Sequence, residues 1–193
     1  MWPNKKVDNK DFRMNYRPEI DGLRAIAIVP VVVFHANPNW LGGGFIGVDI
    51  FFVISGYLIT TIICQDLSSG SFNLLAFYER RARRILPALY FMTLACIPFG
   101  WFWMAPSQFQ EFSKAAAHSA FFSSNIFFWQ NSGYFAAITQ ESPLIHTWSL
   151  SVEEQFYVFF PLLLILIWRF KKAHILPMLS CLALMSLLCS EWA

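Results

Sequence analysis

Apolar residues along this chain gather in long unbroken runs. They show neither the three-to-four spacing of a soluble amphipathic helix nor the alternation of a strand. Crossing the hydrocarbon of a bilayer takes about 20 mainly apolar helical residues with charges kept to the ends. By that criterion residues 23–36, extendable to Trp40, form a first span, 45–64 a second, 85–104 a third and 152–168 a fourth. A last apolar run covers 175–189. Pro30 and Pro161 fall inside the first and fourth runs, where they predict kinks of the kind membrane helices tolerate. The expected fold is all-α, a polytopic transmembrane helical bundle of about five spans. It is expected to be incomplete, because so few helices enclose a polar site poorly and the last run has no partner after it.

Positive charge flanks these runs unevenly. Lys5, Lys6, Lys10, Arg13, Arg17 and Arg24 precede the first run, Arg80, Arg81, Arg83 and Arg84 precede the third, and Arg169, Lys171 and Lys172 follow the fourth. The positive-inside rule puts these clusters and the amino terminus in the cytoplasm. Residues 37–44 carry no Lys or Arg and residues 105–150 only Lys114, so both stretches are expected to face outward. Parity then constrains residues 115–134, which are apolar enough for a helix but include His118, Ser123, Ser124, Asn125, Gln130 and Asn131. A full crossing there would carry Arg169, Lys171 and Lys172 outside. The expectation is a re-entrant or interfacial helix packed on protein. Because the first 24 residues are polar and charged and no small-residue cleavage pattern follows the first run, insertion is expected through uncleaved spans. Residues 1–15 read as a polar cytoplasmic amino terminus and 16–193 as one membrane domain.

Composition narrows the partners. With 56% hydrophobic and 13% charged residues, the chain is more apolar than a soluble domain, so membrane lipid is its expected surrounding. A net charge of +2 is too weak to suggest nucleic acid. Cys64, Cys96, Cys181 and Cys189 each lie in an apolar run, with no C-x-x-C pair and no close histidine. They read as small hydrophobes, and neither a metal site nor a disulfide framework is expected.

Four constellations carry candidate chemistry. Arg24 and His35 lie eleven residues apart, on nearly one helix face and about 16 Å apart along the axis. An imidazole in an apolar run is either a hydrogen-bonded packing residue or a base that takes a proton from an attacking hydroxyl. Residues 47–59, GVDIFFVISGYLI, place Asp49 and Gly56 on a shared face. A glycine there would let the first span approach closely, and Asp49 would then fix the tautomer of His35 or stabilise its protonated form, unless it merely caps the helix. Ser55 lies outside any G-x-S-x-G elbow and is not read as a hydrolase nucleophile. Residues 80–87, RRARRILP, are either a topology signal and headgroup anchor or a site for an anionic cofactor entering from the cytoplasm. Residues 146–157, HTWSLSVEEQFY, bring Glu153 and Glu154 to a span mouth about 100° apart, so at most one of them faces a polar interior.

Taken in order, residues 16–25 with His35, then 47–59, 80–87 and 146–161, resemble the acyltransferase-3 family of membrane O-acyltransferases. The likeness is strongest to members that acetylate bacterial surface glycans, such as lipopolysaccharide O-antigen or other envelope polysaccharides. It covers residues 16–168, and its departure from the family lies in length, since the family domain has about twice as many spans. The resemblance implies that His35 is the catalytic histidine of the family's arginine, ten residues, histidine pattern, with Arg24 as its arginine. It implies that the paired arginines, spaced R-x-x-R, bind acyl-coenzyme A, as either Arg80 with Arg83 or Arg81 with Arg84. The family's Ser-Val-Glu falls on Ser151, Val152 and Glu153, which favours Glu153 as the inward carboxylate.

The function this implies is transfer of an acyl group, most commonly acetyl, from acyl-coenzyme A to a glycan hydroxyl in the bacterial cytoplasmic membrane. His35 would be assisted by Asp49 or Glu153, acting as general base or as an acyl carrier. Acyl-coenzyme A is then a donor substrate and no cofactor is bound permanently. A soluble carboxy-terminal SGNH-type domain often accompanies such members. The competing readings are a non-catalytic transporter or scaffold component, whose intramembrane His, Asp and Glu would line a path, and an inactive truncated acyltransferase.

Overall fold

A computed structural model of the chain describes residues 17–131, 142–170 and 175–190. The expectations for residues 1–16, 132–134, Lys171 and Lys172 lie outside the described residues. Among those described there are seven α-helices and a short 3-10 turn at Gly44–Ile46. The helices are α1 (Pro18–Ala36), α2 (Gly47–Ser69), α3 (Leu74–Trp103), α4 (Pro106–Ala120), α5 (Ser124–Gln130), α6 (Thr147–Phe170) and α7 (Ile175–Ser190).

Among the described residues, three stretches are long and apolar enough to cross a bilayer: Gly44–Ser69, Leu74–Trp103 and Thr147–Arg169. The other two expected spans are shorter or less apolar among the described residues. Glu19, Asp21 and Arg24 occupy the first two turns of α1, leaving only residues 25–36 apolar. The 16 described residues of α7 rise about 24 Å, against the roughly 30 Å of hydrocarbon. Two other helices begin well before their apolar runs. The Asn73 side chain accepts a hydrogen bond from Ala76 N at 3.0 Å and starts α3 at Leu74, so the arginine cluster lies within the helix. α6 starts at Thr147 and takes in both glutamates.

Residues 115–131 do not form the single helix expected. α4 closes through Ser123 N to His118 O at 2.9 Å and Phe122 N to Ser119 O at 3.1 Å, the paired bonds of a Schellman cap. Glycine usually takes the left-handed position of that cap; here it is Phe122, at φ 52°. With 15 and 7 residues, neither α4 nor α5 is long enough to cross a bilayer.

The chain divides into two units, Met1–Gly56 and Tyr57–Ala193. In the first, α1 meets the start of α2 through glycine. A Cβ built on Gly44 would lie 2.2 Å from Pro30 O, and one on Gly47 2.1 Å from Ala27 O. Only a residue without a side chain fits at either position. The expectation for Gly56 is corrected: among the described residues a Cβ there meets no heavy atom within 4 Å, and the close approach belongs to Gly44 and Gly47.

The second unit has two apolar cores. Ile59, Ile63, Phe77, Tyr157 and Leu164 join α2, α3 and α6. Phe112, Ala115, Phe127, Phe128 and Leu144 join α4, α5 and the approach to α6. A ladder of side-chain hydrogen bonds also ties α4 and α5 to α6. Ser119 Oγ lies 2.8 Å from Thr147 Oγ1, Thr147 Oγ1 lies 3.0 Å from Ser124 Oγ, and Ser124 Oγ lies 2.7 Å from Ser151 Oγ. Asn125 and Gln155 exchange reciprocal amide bonds at 3.1 and 3.0 Å. Gln155 Nε2 also donates to Phe122 O at 2.9 Å, which holds the left-handed residue in place. Thr147, Ser151 and Gln155 follow a spacing of four and so form one stripe on α6.

Candidate functional site

In the first unit, His35 is an exposed residue in the last turn of α1. Its Nδ1 lies 2.7 Å from Val31 O, one turn back. A carbonyl oxygen only accepts, so Nδ1 carries the proton and donates it. In the neutral ring Nε2 then holds the basic lone pair. At Nδ1 the imidazole is oriented by a backbone carbonyl of its own helix. Asp49 is exposed in the first turn of α2, where its charge complements the positive end of the helix dipole. Arg24, half-buried on α1, places its guanidinium 6.0 Å from the Phe51 ring centroid.

In the second unit the arginine cluster splits by face. Arg83 pairs with Glu79 at 2.7 Å on an exposed side of α3, and Arg80 is exposed as well. Arg81 turns inward, half-buried, with its guanidinium 4.6 Å from the Tyr157 ring centroid and 5.9 Å from that of Phe77. Stacking of this kind fixes the plane of the guanidinium and leaves its edge for hydrogen bonding. The charges of Arg84, Glu153 and Glu154 all act on Arg81.

The two glutamates also separate. Glu153 is half-buried and accepts a short hydrogen bond from Tyr157 OH. Glu154 is the more buried of the two, at 8% exposure. The physical reason is helical phase: Ser151, Glu154, Tyr157, Pro161, Leu164 and Ile167 form the buried stripe of α6, and Glu153 lies about 100° off it. Tyr157 was not singled out in the sequence, although the three-to-four spacing of Tyr157, Pro161, Leu164 and Ile167 carries the signal.

The first unit therefore offers an oriented imidazole, and the second a stacked guanidinium near one buried and one half-buried carboxylate, on two long apolar helices. Chemically, an imidazole can take up the proton of a hydroxyl and an inward guanidinium can hold an anion. The chain belongs to the acyltransferase 3 family, whose acyltransferase domain matches residues 17–193. Over 191 residues it is 39% identical to the O-acetyltransferase OatA of Staphylococcus aureus, the match covering 94% of this chain and 31% of that protein. Over 163 residues it is 41% identical to the peptidoglycan O-acetyltransferase OatA of Listeria monocytogenes, covering 83% of this chain and 26% of the relative. The chain thus spans less than a third of the length of these relatives. No solved structure matches it.

Proposed function

We propose that this chain forms the amino-terminal part of a membrane-bound O-acetyltransferase that moves acetyl from acetyl-coenzyme A to a hydroxyl of peptidoglycan. The acceptor follows the name of the Listeria relative, and it replaces the lipopolysaccharide that the motif resemblance left open. The observation that carries the reading is the His35 tautomer: with Nδ1 donating to Val31 O, Nε2 is poised to take a proton.

In this reading Nε2 of His35 takes the proton of the acceptor hydroxyl as its oxygen attacks the acetyl carbonyl. The carbon–sulfur bond breaks, the electron pair leaves on sulfur, and the coenzyme thiolate takes up a proton. Arg81 with Arg84 is the R-x-x-R register that holds the donor's phosphates, because Arg83 is engaged by Glu79 on the exposed side while Arg81 turns inward. Arg24 anchors α1 at the cytoplasmic border, and Asp49 and Glu153 act as supporting carboxylates, Glu153 through Tyr157. The amino terminus lies in the cytoplasm of the bacterial inner membrane, and a carboxy-terminal SGNH-type domain completes the protein.

The test is transfer of labelled acetyl from acetyl-coenzyme A by the full-length protein in membrane vesicles, offered peptidoglycan or lipopolysaccharide. Label on peptidoglycan is expected. Label on lipopolysaccharide alone, or on neither, contradicts the reading.

A further inference from the structure

The proposed chemistry leaves Glu154 without a task, and its surroundings give it one. Glu154 is more than nine-tenths buried, and its Oε1 has no hydrogen-bond partner among the described residues. Buried carboxylate oxygens are ordinarily satisfied, so an orphan at a candidate site calls for an explanation. Arg81 poses the complementary question. Its guanidinium is stacked on Tyr157 and Phe77, but it closes no ion pair among the described residues. Glu154 is near enough for its charge to act on Arg81, yet the two do not form a salt bridge. An acidic group that is buried and a basic one that is half-buried thus stand within electrostatic reach, with Glu154 Oε1 unpartnered and Arg81 in no ion pair among the described residues.

Such a pair suits a ligand that carries an acceptor and a donor a short distance apart. Arg81 would take the acceptor, an anion, and Glu154 Oε1 the donor, an N–H or O–H. Coenzyme A has that arrangement, since the hydroxyl and first amide of its pantetheine arm lie only a few bonds from its phosphates. Resting on the acyl-donor reading above, we propose that Glu154 is a donor-binding residue, with Oε1 accepting a hydrogen bond from the hydroxyl or amide of the pantetheine arm while Arg81 binds the adjoining phosphate.

The experiment measures binding of two probes to the full-length protein in nanodiscs. One is coenzyme A; the other is its nucleotide half, which keeps the phosphates and lacks the arm. Glu154→Gln keeps an acceptor oxygen but removes the charge, and is expected to weaken coenzyme A about tenfold, the charge-assisted part of one hydrogen bond, and to leave the nucleotide half unchanged. Arg81→Ala is expected to weaken both. If Glu154→Gln weakens both probes equally, Glu154 acts only through Arg81 and the proposal is overturned. It is overturned too if neither probe responds to Glu154→Gln while Arg81→Ala still weakens both, and the donor reading then stands. Failure of the unsubstituted protein to bind coenzyme A overturns the donor reading itself, and this inference with it. Should Glu154→Gln not fold, Glu154→Asp retracts the carboxylate by one methylene and is expected to show the same selective loss.

Discussion

The two units join their helices by opposite means. In Met1–Gly56 the contact of α1 with the start of α2 depends on removing side chains, since Gly44 and Gly47 bring backbone against the carbonyls of Pro30 and Ala27. In Tyr57–Ala193 the contact of α4 and α5 with α6 depends on adding polar ones, from Ser119, Ser124 and Asn125 to Thr147, Ser151 and Gln155. Both devices answer the same problem. Lipid is as apolar as leucine, so helices in a bilayer are held by close packing and by hydrogen bonds rather than by hydrophobic burial. The difference teaches where each unit is vulnerable. A glycine seam fails when anything is added, and a polar ladder fails when one rung is left without a partner.

The largest effect is expected at the seam. Gly47→Ala puts a methyl 2.1 Å from a backbone oxygen and should destabilise the full-length protein by about 3 kcal/mol, the upper range for overpacking. Gly56→Ala has open space and should be neutral or stabilising by up to about 1 kcal/mol through helix propensity. Detergent-unfolding midpoints compare the two, and equal costs would show that the seam lies elsewhere. An intermediate effect is expected in the ladder. Ser151→Ala should cost about 1–3 kcal/mol by leaving the Ser124 hydroxyl and amide short of a partner. The double change Ser124→Ala with Ser151→Ala should cost clearly less than the sum of the singles, because both partners leave together; strict additivity would deny the coupling. The smallest effect is expected at Arg83, whose ion pair with Glu79 is largely exposed, at 79% and 61%. Arg83→Ala should shift stability by less than about 0.5 kcal/mol and leave the KM for acetyl-coenzyme A unchanged, whereas Arg84→Ala should raise it. The reverse outcome would assign the other register.

How much of this was legible in the sequence depends on which force set each feature. The cores of α2, α3 and α6 followed from apolar runs, since a bilayer imposes length and composition directly. Their starts did not, because capping by Asn73 and the polar first turns of α6 extend each helix beyond its apolar part. The break at Phe122 was hidden, as the left-handed cap there is occupied by phenylalanine instead of the glycine that would signal it. In the site, the four motifs located His35, the arginine cluster and the two glutamates. They did not separate Arg81 from Arg83 and did not show that Glu154 is the more buried glutamate, because neighbouring helical residues differ only in phase, and phase is fixed by what the helix packs against. For α6 that information was present further along, in the spacing of Tyr157, Pro161, Leu164 and Ile167. The role of Val31 O as partner of His35 is a matter of rotamer and had no signature in residue type.

The central claim is that Nε2 of His35 takes the acceptor's proton. Its most direct measurement is the rate of labelled acetyl transfer from acetyl-coenzyme A to peptidoglycan by the full-length protein and its His35→Ala variant, with kcat and the KM for the donor determined separately. Removing a general base should lower kcat by about 100-fold or more and leave the KM for the donor close to its original value. Transfer at an undiminished kcat in the His35→Ala variant would contradict the account.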